Sequence, residues 1–362
     1  MPPRTLGAYE ILAIVGRGGI GTVYRARHRE HGQEVALKLL APPPACEPTA
    51  ARRLAREFEA LQELDHPNVV RVYEAGVHEG YSFLAMELVE GLDLRSYLSP
   101  LLDDDLGGRF PPVPALRAVD LEAWSEEPDT ESLFAPVDEH SGTEALRAFA
   151  TLLEEPETGT GFEAPGHDEP EKGKGEVHPL AEPRPIPPEL ALRLNGPGRL
   201  SRLRDALRQV CEGLSYVHAR GLVHRDLKPS NIMVDDRRRV RLMDFGLVKL
   251  ASDALHLTQH GKVVGTYRYM APEQARGEPV DQRADLYSLG VILFELLCGR
   301  TPFSARRAPE LWDQIIGRPP PDLFALNPGA DPRLVRLALR LLAKDPRERP
   351  QSAGEVAREV LG

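Results

Sequence analysis

The run His224-Arg225-Asp226-Leu227-Lys228-Pro229-Ser230-Asn231, followed by Asp244-Phe245-Gly246, decides how this chain is read. Asp226 and Asp244 stand 18 positions apart, with Lys228 and Asn231 between them. These residue types suit transfer of a phosphoryl group to a hydroxyl. Asp226 can orient the hydroxyl and take its proton. Lys228 can neutralise the group in transit. Asn231 and Asp244 offer hard oxygen ligands, which Mg2+ prefers together with phosphates. Either triplet alone says little, since Asp-Phe-Gly is also an ordinary turn and His-Arg-Asp an ordinary surface triplet.

Two upstream features change that weight. Gly16-Arg17-Gly18-Gly19-Ile20-Gly21-Thr22-Val23 reads G-x-G-x-x-G-x-V. It lies between two strand-like runs instead of opening a helix, which disfavours a dinucleotide fold. Glycines there let backbone approach phosphate oxygens closely; in isolation the same run is a plain glycine-rich hairpin. Val35-Ala36-Leu37-Lys38 follows, with Lys38 fifteen positions after Val23. A lysine in an apolar strand is commonly a snorkelling edge residue. Here a helical spacing follows, with Leu54, Phe58, Leu61 and Leu64 three or four apart. Glu57 on that helix is a candidate ion partner of Lys38, in a pair that would hold the ammonium on nucleotide phosphates. Glu59 and Glu63 are its solvent-facing rivals.

The rest of the chain divides in two. Strand-like runs cover 9–15, 22–26, 34–40, 69–73 and 81–88. Helical patterns cover 202–220, 285–297, 332–343 and 352–361, and the apolar 285–297 segment should be buried. A small β-rich lobe therefore precedes a larger helical one. Between them, residues 99–198 hold 22 acidic and 7 basic residues, a balance of −15, and 15 of the 34 prolines. Such a stretch is too polar to offset its ordering entropy and reads as a partly disordered insertion. Within it, Ser141-Gly142-Thr143-Glu144 forms a capping-box pattern ahead of Leu146, Phe149, Leu152 and Leu153. That helix is a candidate for docking on the core or on a partner. The other 262 residues carry a balance of +5.

Composition excludes several classes. A net charge of −10 over 362 residues argues against a nucleic-acid-binding surface. No apolar run reaches 18 residues, so no membrane span is expected, and the start of the chain lacks a signal-peptide apolar region. Cys46, Cys211 and Cys298 are widely spaced, which fits a reducing, cytoplasmic compartment and no zinc site.

Taken together, the motifs resemble the eukaryotic-like (Hanks-type) serine/threonine protein kinases in their bacterial form, over all of the chain outside 99–198. The resemblance implies an α+β bilobal fold: an antiparallel β-rich N-lobe with one regulatory helix over 1–88, and a mainly helical C-lobe over 89–362 carrying the acidic insertion. It implies ATP and Mg2+, with Mn2+ as an alternative ion. It assigns Gly16, Arg17, Gly18, Gly19, Ile20, Gly21 and Val23 to the loop over ATP. Lys38 becomes the phosphate-binding lysine and Glu57 its partner, nine residues before His66-Pro67-Asn68. Asp226 becomes the base, Lys228 the phosphoryl contact, and Asn231 and Asp244 the metal ligands. Val23, Ala36 and Met233 sandwich adenine; Met86 is the gatekeeper; Glu87 and Val89 form the hinge; Asp93 falls near ribose. His224, Phe245, Leu61 and Val72 form a spine across the lobes, with Phe245 also readable as a simple core aromatic. Arg225, Gly246, Thr266, Glu273, Asp285 and Arg349 complete the structural motif, Arg349 pairing with Glu273 of Ala271-Pro272-Glu273.

The family further implies protein substrates, since small-molecule kinases of related fold usually lack Ala271-Pro272-Glu273. Lys228 and Gly265-Thr266 point to Ser/Thr and not Tyr acceptors. Ser230 in place of an acid argues against a strong preference for arginine near the target. A pseudokinase that binds ATP without transfer is the alternative, set against intact Lys38, Asp226, Asn231 and Asp244. Thr258 is the first candidate for an activating phosphate that Arg225 would bind, and Ser252 the second; the plainer reading is a loop hydroxyl. With no sensor segment or anchor expected in the chain, input would come through the insertion, a partner, a further tail or self-association for phosphorylation in trans.

Overall fold

A computed structural model describes residues 5–18, 21–40, 61–78, 81–99, 185–245, 267–305 and 307–361. The first lobe is a six-stranded antiparallel sheet. Its strands are β1 (Thr5–Leu6), β2 (Tyr9–Gly18), β3 (Gly21–His28), β4 (Glu34–Leu40), β5 (Val72–His78) and β6 (Tyr81–Glu87), in the order β1-β2-β3-β4-β6-β5. Side chains alternate across a strand. In β4, Val35 and Leu37 pack with Leu6, Tyr9, Tyr24 and Phe83 on one face. Ala36 turns to the other face, against Leu61, Val72, Leu84 and Met86. Lys38, two positions on, shares the Ala36 face and so reaches the space between the lobes.

The second lobe begins with β7 (Gly91–Asp93), which joins β8 (Ile232–Asp235) and β9 (Val240–Leu242) in a three-stranded sheet. Its helices are α1 (Leu94–Tyr97), α2 (Pro188–Leu194), α3 (Pro197–His218), α4 (Pro272–Ala275), α5 (Gln282–Cys298), α6 (Ala308–Gly317), α7 (Leu323–Leu326), α8 (Pro332–Leu341) and α9 (Ala353–Leu361). α5 is buried on nearly all sides, as its largely apolar sequence demands. Asp281 caps its start by accepting from the Arg283 amide, and Gly299 ends it at φ 76. α8 crosses α5 at Gly290, where a Cβ would meet the Leu341 Cβ at 2.6 Å.

Two expectations change. The strand expected over 69–73 begins at Val72. The backbone before it is committed to the helical lobe: the Val70 amide donates to the Leu242 carbonyl (2.9 Å), and the Leu242 amide to that of Asn68 (2.9 Å). The composition boundary at residue 198 also takes in residues 185–198, which the structure packs into the helical lobe. The Ile186 amide donates to Leu326, Leu194 is buried, and Pro188 and Pro197 each sit in a first helical turn. Prolines there start helices and do not mark a linker. Arg199, also buried, donates to the carbonyls of Leu98, Leu194 and Leu296. One guanidinium thus ties the chain just before the acidic stretch to the end of α2, the first helix after it. The 141–153 segment lies outside the described residues.

Candidate active site

The site lies where the Ala36 face of the sheet meets the loop after α3. Asp226 is its centre. Its Oδ2 accepts from Lys228 Nζ at 2.8 Å and from Asn231 Nδ2 at 3.2 Å, and its carbonyl accepts from the same amide at 2.8 Å. A short 3-10 turn over Pro229–Asn231 brings these groups round one carboxylate. Across the cleft, Lys38 Nζ stands 2.9 Å from Asp244 Oδ1. Two carboxylates, two ammonium groups and one amide therefore converge from β4, the 224–231 loop and the end of β9. The Lys38 partner in the described structure is Asp244; Glu57 lies outside the described residues, as do Gly19, Ile20, Gly246, Ser252, Thr258 and Thr266.

Backbone strain marks the same residues. Arg225 (φ 63) and Asp244 (φ 58) adopt left-handed conformations that cost a non-glycine residue about 1–3 kcal/mol. Asp285 over-determines the first. From the first turn of α5 its carboxylate accepts from the backbone amides of His224 and Arg225, both at 2.8 Å, and from His218 Nε2 at 2.8 Å. His224 in turn contacts the Met243 carbonyl through Nε2 at 3.1 Å. Its Nδ1 is buried without a partner, so Nε2 is the nitrogen that donates to the Met243 carbonyl, and burial lowers the imidazole pKa. Phe245 lies 4.6 Å from His224, centroid to centroid, and packs into the cluster that holds Leu61 and Val72. Of the four expected spine residues, His224 and Phe245 meet directly, and Phe245 is at once a core aromatic.

The sheet side of the cleft, where adenine is expected, is apolar. Val23 and Val89 pack against the cluster of Ala36 and buried Met86, with Met86 opposite Ala36 in the sheet. Gly16 pairs with Val23 in the β2–β3 hairpin, and Arg17 with Thr22. Met233 is half-buried in β8, opposite Asp93. The Asp93 side chain caps α1 by accepting from the Ser96 amide at 2.7 Å. The Glu87 carboxylate is held by Arg241 Nη2 at 3.0 Å. That tie and the His218–Asp285 bond were not singled out in the sequence, because neither pair sits within a short motif.

A platform adjoins the cleft. Arg349 and Glu273 form a buried bidentate pair at 2.7 and 2.8 Å. Gln274 Nε2 donates to the Arg225 carbonyl at 3.0 Å, which joins α4 to the 224–231 loop. Tyr269 donates to Glu295 (2.7 Å) and accepts from Arg95 (2.8 Å); burial, then Glu295, push its phenol pKa up.

A divalent ion fits the donor set. Asn231 and Asp244 supply hard oxygens, and among the described residues no cluster of three His, Cys, Asp or Glu forms an all-protein cage.

A family model for protein tyrosine and serine/threonine kinases matches residues 9–357, and the chain belongs to this family. Its relatives are bacterial serine/threonine kinases. It is 32% identical over 359 residues to the DNA damage-responsive serine/threonine-protein kinase RqkA of Deinococcus radiodurans, covering 99% of this chain and 40% of RqkA. It is 31% identical to serine/threonine-protein kinase pkn3 of Myxococcus xanthus, covering 95% of this chain and 48% of that protein. The chain thus spans less than half the length of these relatives. The kinase domain of Mycobacterium tuberculosis PknI superposes with a TM-score of 0.56 at 22% identity, covering 99% of this chain and 96% of that one, a likeness of fold. The bilobal kinase fold and the bacterial serine/threonine kinase resemblance stand. No helix of the described residues is long and apolar enough to cross a membrane.

Proposed function

We propose that the chain transfers the γ-phosphoryl group of ATP to Ser or Thr hydroxyls of proteins, itself included, with Mg2+ or Mn2+ as the ion. The observation that carries this is the convergence of Lys228 and Asn231 on Asp226 opposite the Lys38–Asp244 pair. Asp226 orients the acceptor hydroxyl and receives its proton. Lys228 stands beside it to meet the charge of the incoming phosphoryl group. Asn231 and Asp244 would hold the ion, which when bound would offset charge on the phosphates. Lys38 and the backbone of the β2–β3 hairpin position ATP, with adenine between Val23, Ala36 and Met233 and against the backbone of Glu87 and Val89. Preorganised charge of this kind supplies most of the rate in phosphoryl transfer. Arg225, Thr258 and Ser252 belong to regulation in this reading, and the segment between 99 and 185 is an insertion in the C-lobe that a partner can engage.

The Glu273–Arg349 platform favours protein over metabolite acceptors, and the intact charged set disfavours a pseudokinase. Intact-mass spectrometry after incubation with Mg-ATP tests the proposal, beside Asp226→Ala. Phosphoryl increments on the unaltered chain alone are expected. None on an ATP-binding, dephosphorylated chain would favour the scaffold.

A further inference from the structure

Arg268 lies in the turn that precedes α4, where the Met270 amide donates to the Tyr267 carbonyl at 3.1 Å. The other three residues of the turn are committed. Tyr267 meets Trp312 edge-on with centroids 6.1 Å apart. Tyr269 is fixed through its hydroxyl by Glu295 and Arg95, and through its carbonyl by Ser288 Oγ at 2.7 Å. Met270 is buried. Arg268 is different. Its Nε is buried without a hydrogen-bond partner. Among the described residues its guanidinium forms no ion pair, although it is half-buried.

A guanidinium cannot shed its proton to escape this cost. Its charge calls for an anion, and partial burial strengthens that attraction. The carboxylates of the surrounding platform are already engaged. Glu273 is held by Arg349, Glu295 by Tyr269 and Arg95, and Glu278 stands 3.5 Å from Arg276. α4, directly after the turn, is bonded to the catalytic loop through Gln274 and the Arg225 carbonyl. The uncommitted cation therefore sits in a turn tied through α4 to the loop that carries Asp226, on the side from which, in the kinase reading, an acceptor chain would approach. Resting on the kinase reading, we propose that Arg268 is a specificity-determining residue that receives an acidic side chain of the protein substrate next to the acceptor Ser or Thr.

The test compares matched Thr peptides carrying Glu, Gln or Lys at the positions flanking the acceptor, read as kcat/KM. The unaltered chain should favour Glu over Gln by about tenfold, the scale of one charge-assisted bond. Arg268→Gln should bring that ratio to about one while still phosphorylating the Gln peptide. Arg268→Lys should keep most of the preference, and Arg268→Glu should turn it toward the Lys peptide. An unchanged Glu/Gln ratio in Arg268→Gln would overturn the proposal. An equal loss on all three peptides would also overturn it, because the cation would then serve the chain's own segment. If the unaltered chain phosphorylates neither peptides nor itself, the kinase reading is what fails, and this proposal falls with it.

Discussion

His224 shows how much a single ring can carry. It stacks on Phe245, reaches the Met243 carbonyl and leaves Nδ1 buried and bare. Acid must place a proton on that nitrogen. Because the folded pKa is lowered below the usual value of about 6.5, the unfolded chain binds the proton first. The stability due to neutral His224 is therefore complete above about pH 6.5 and is lost as pH falls below it. His66, also lowered by burial, adds to the same trend. Thermal unfolding between pH 7.5 and 5 should show a falling Tm, and His224→Phe should flatten the fall without removing it. A slope identical to that of the unaltered chain would show that the ring is not the sensitive group. At this scale much of the site was legible. Asp226, Lys228, Asn231 and Asp244 announce themselves by type and spacing, because their chemistry needs them a few residues apart on one loop. Arg268, His218 and the Glu87–Arg241 tie did not. Their partners, or the want of one, arise only when distant segments meet.

At the scale of elements, the α5–α8 crossing is a tight point between helices. Gly290 lets the two backbones approach until a Cβ would lie 2.6 Å from that of Leu341, 3.1 Å from its carbonyl carbon and 3.3 Å from Leu342 Cγ. Alanine is the better helix former, so propensity alone would make Gly290→Ala stabilising. Packing opposes it, since the clash is with atoms close to backbone that cannot swing away. Overpacking of this kind costs about 1–3 kcal/mol. Urea unfolding should show that loss, while a gain in stability would mean that α8 slides at little cost. The strands at 34–40 and 81–87 and the helix at 282–298 were legible because burial on one or both faces writes its period into the sequence. The start of β5 was not: Val69 and Val70 are as apolar as a strand requires, yet their backbone is spent on the other lobe.

For the molecule as a whole, the two lobes and the polar stretch between α1 and α2 followed from composition, but one border did not. The proline-rich run up to residue 198 has the make-up of a linker and the packing of a scaffold, with Leu194 and Arg199 buried and Asn195 paired to Asn327 at 2.9 Å. Composition averages over residues, whereas three or four anchored side chains suffice to fix a short helix. Replacing residues 100–184 with a short Gly/Ser linker should therefore leave the melting transition cooperative and its midpoint nearly unchanged. Carrying the cut through 198 should broaden or abolish the transition. Equal behaviour of the two deletions would show that α2 is dispensable.

The Arg199 clamp has a consequence for engineering. Because Arg199 ties Leu98 to Leu194 and the Ile186 amide is held by the Leu326 carbonyl, the exit and return points of the chain are each anchored on the helical lobe, much as the two pins of a socket are set at fixed spacing. A foreign domain whose own termini lie close could be plugged in there, a fluorescent reporter or a ligand-gated module among them. It would ride on the outside of the helical lobe with its strain absorbed at the socket, before reaching the loop that carries Asp226.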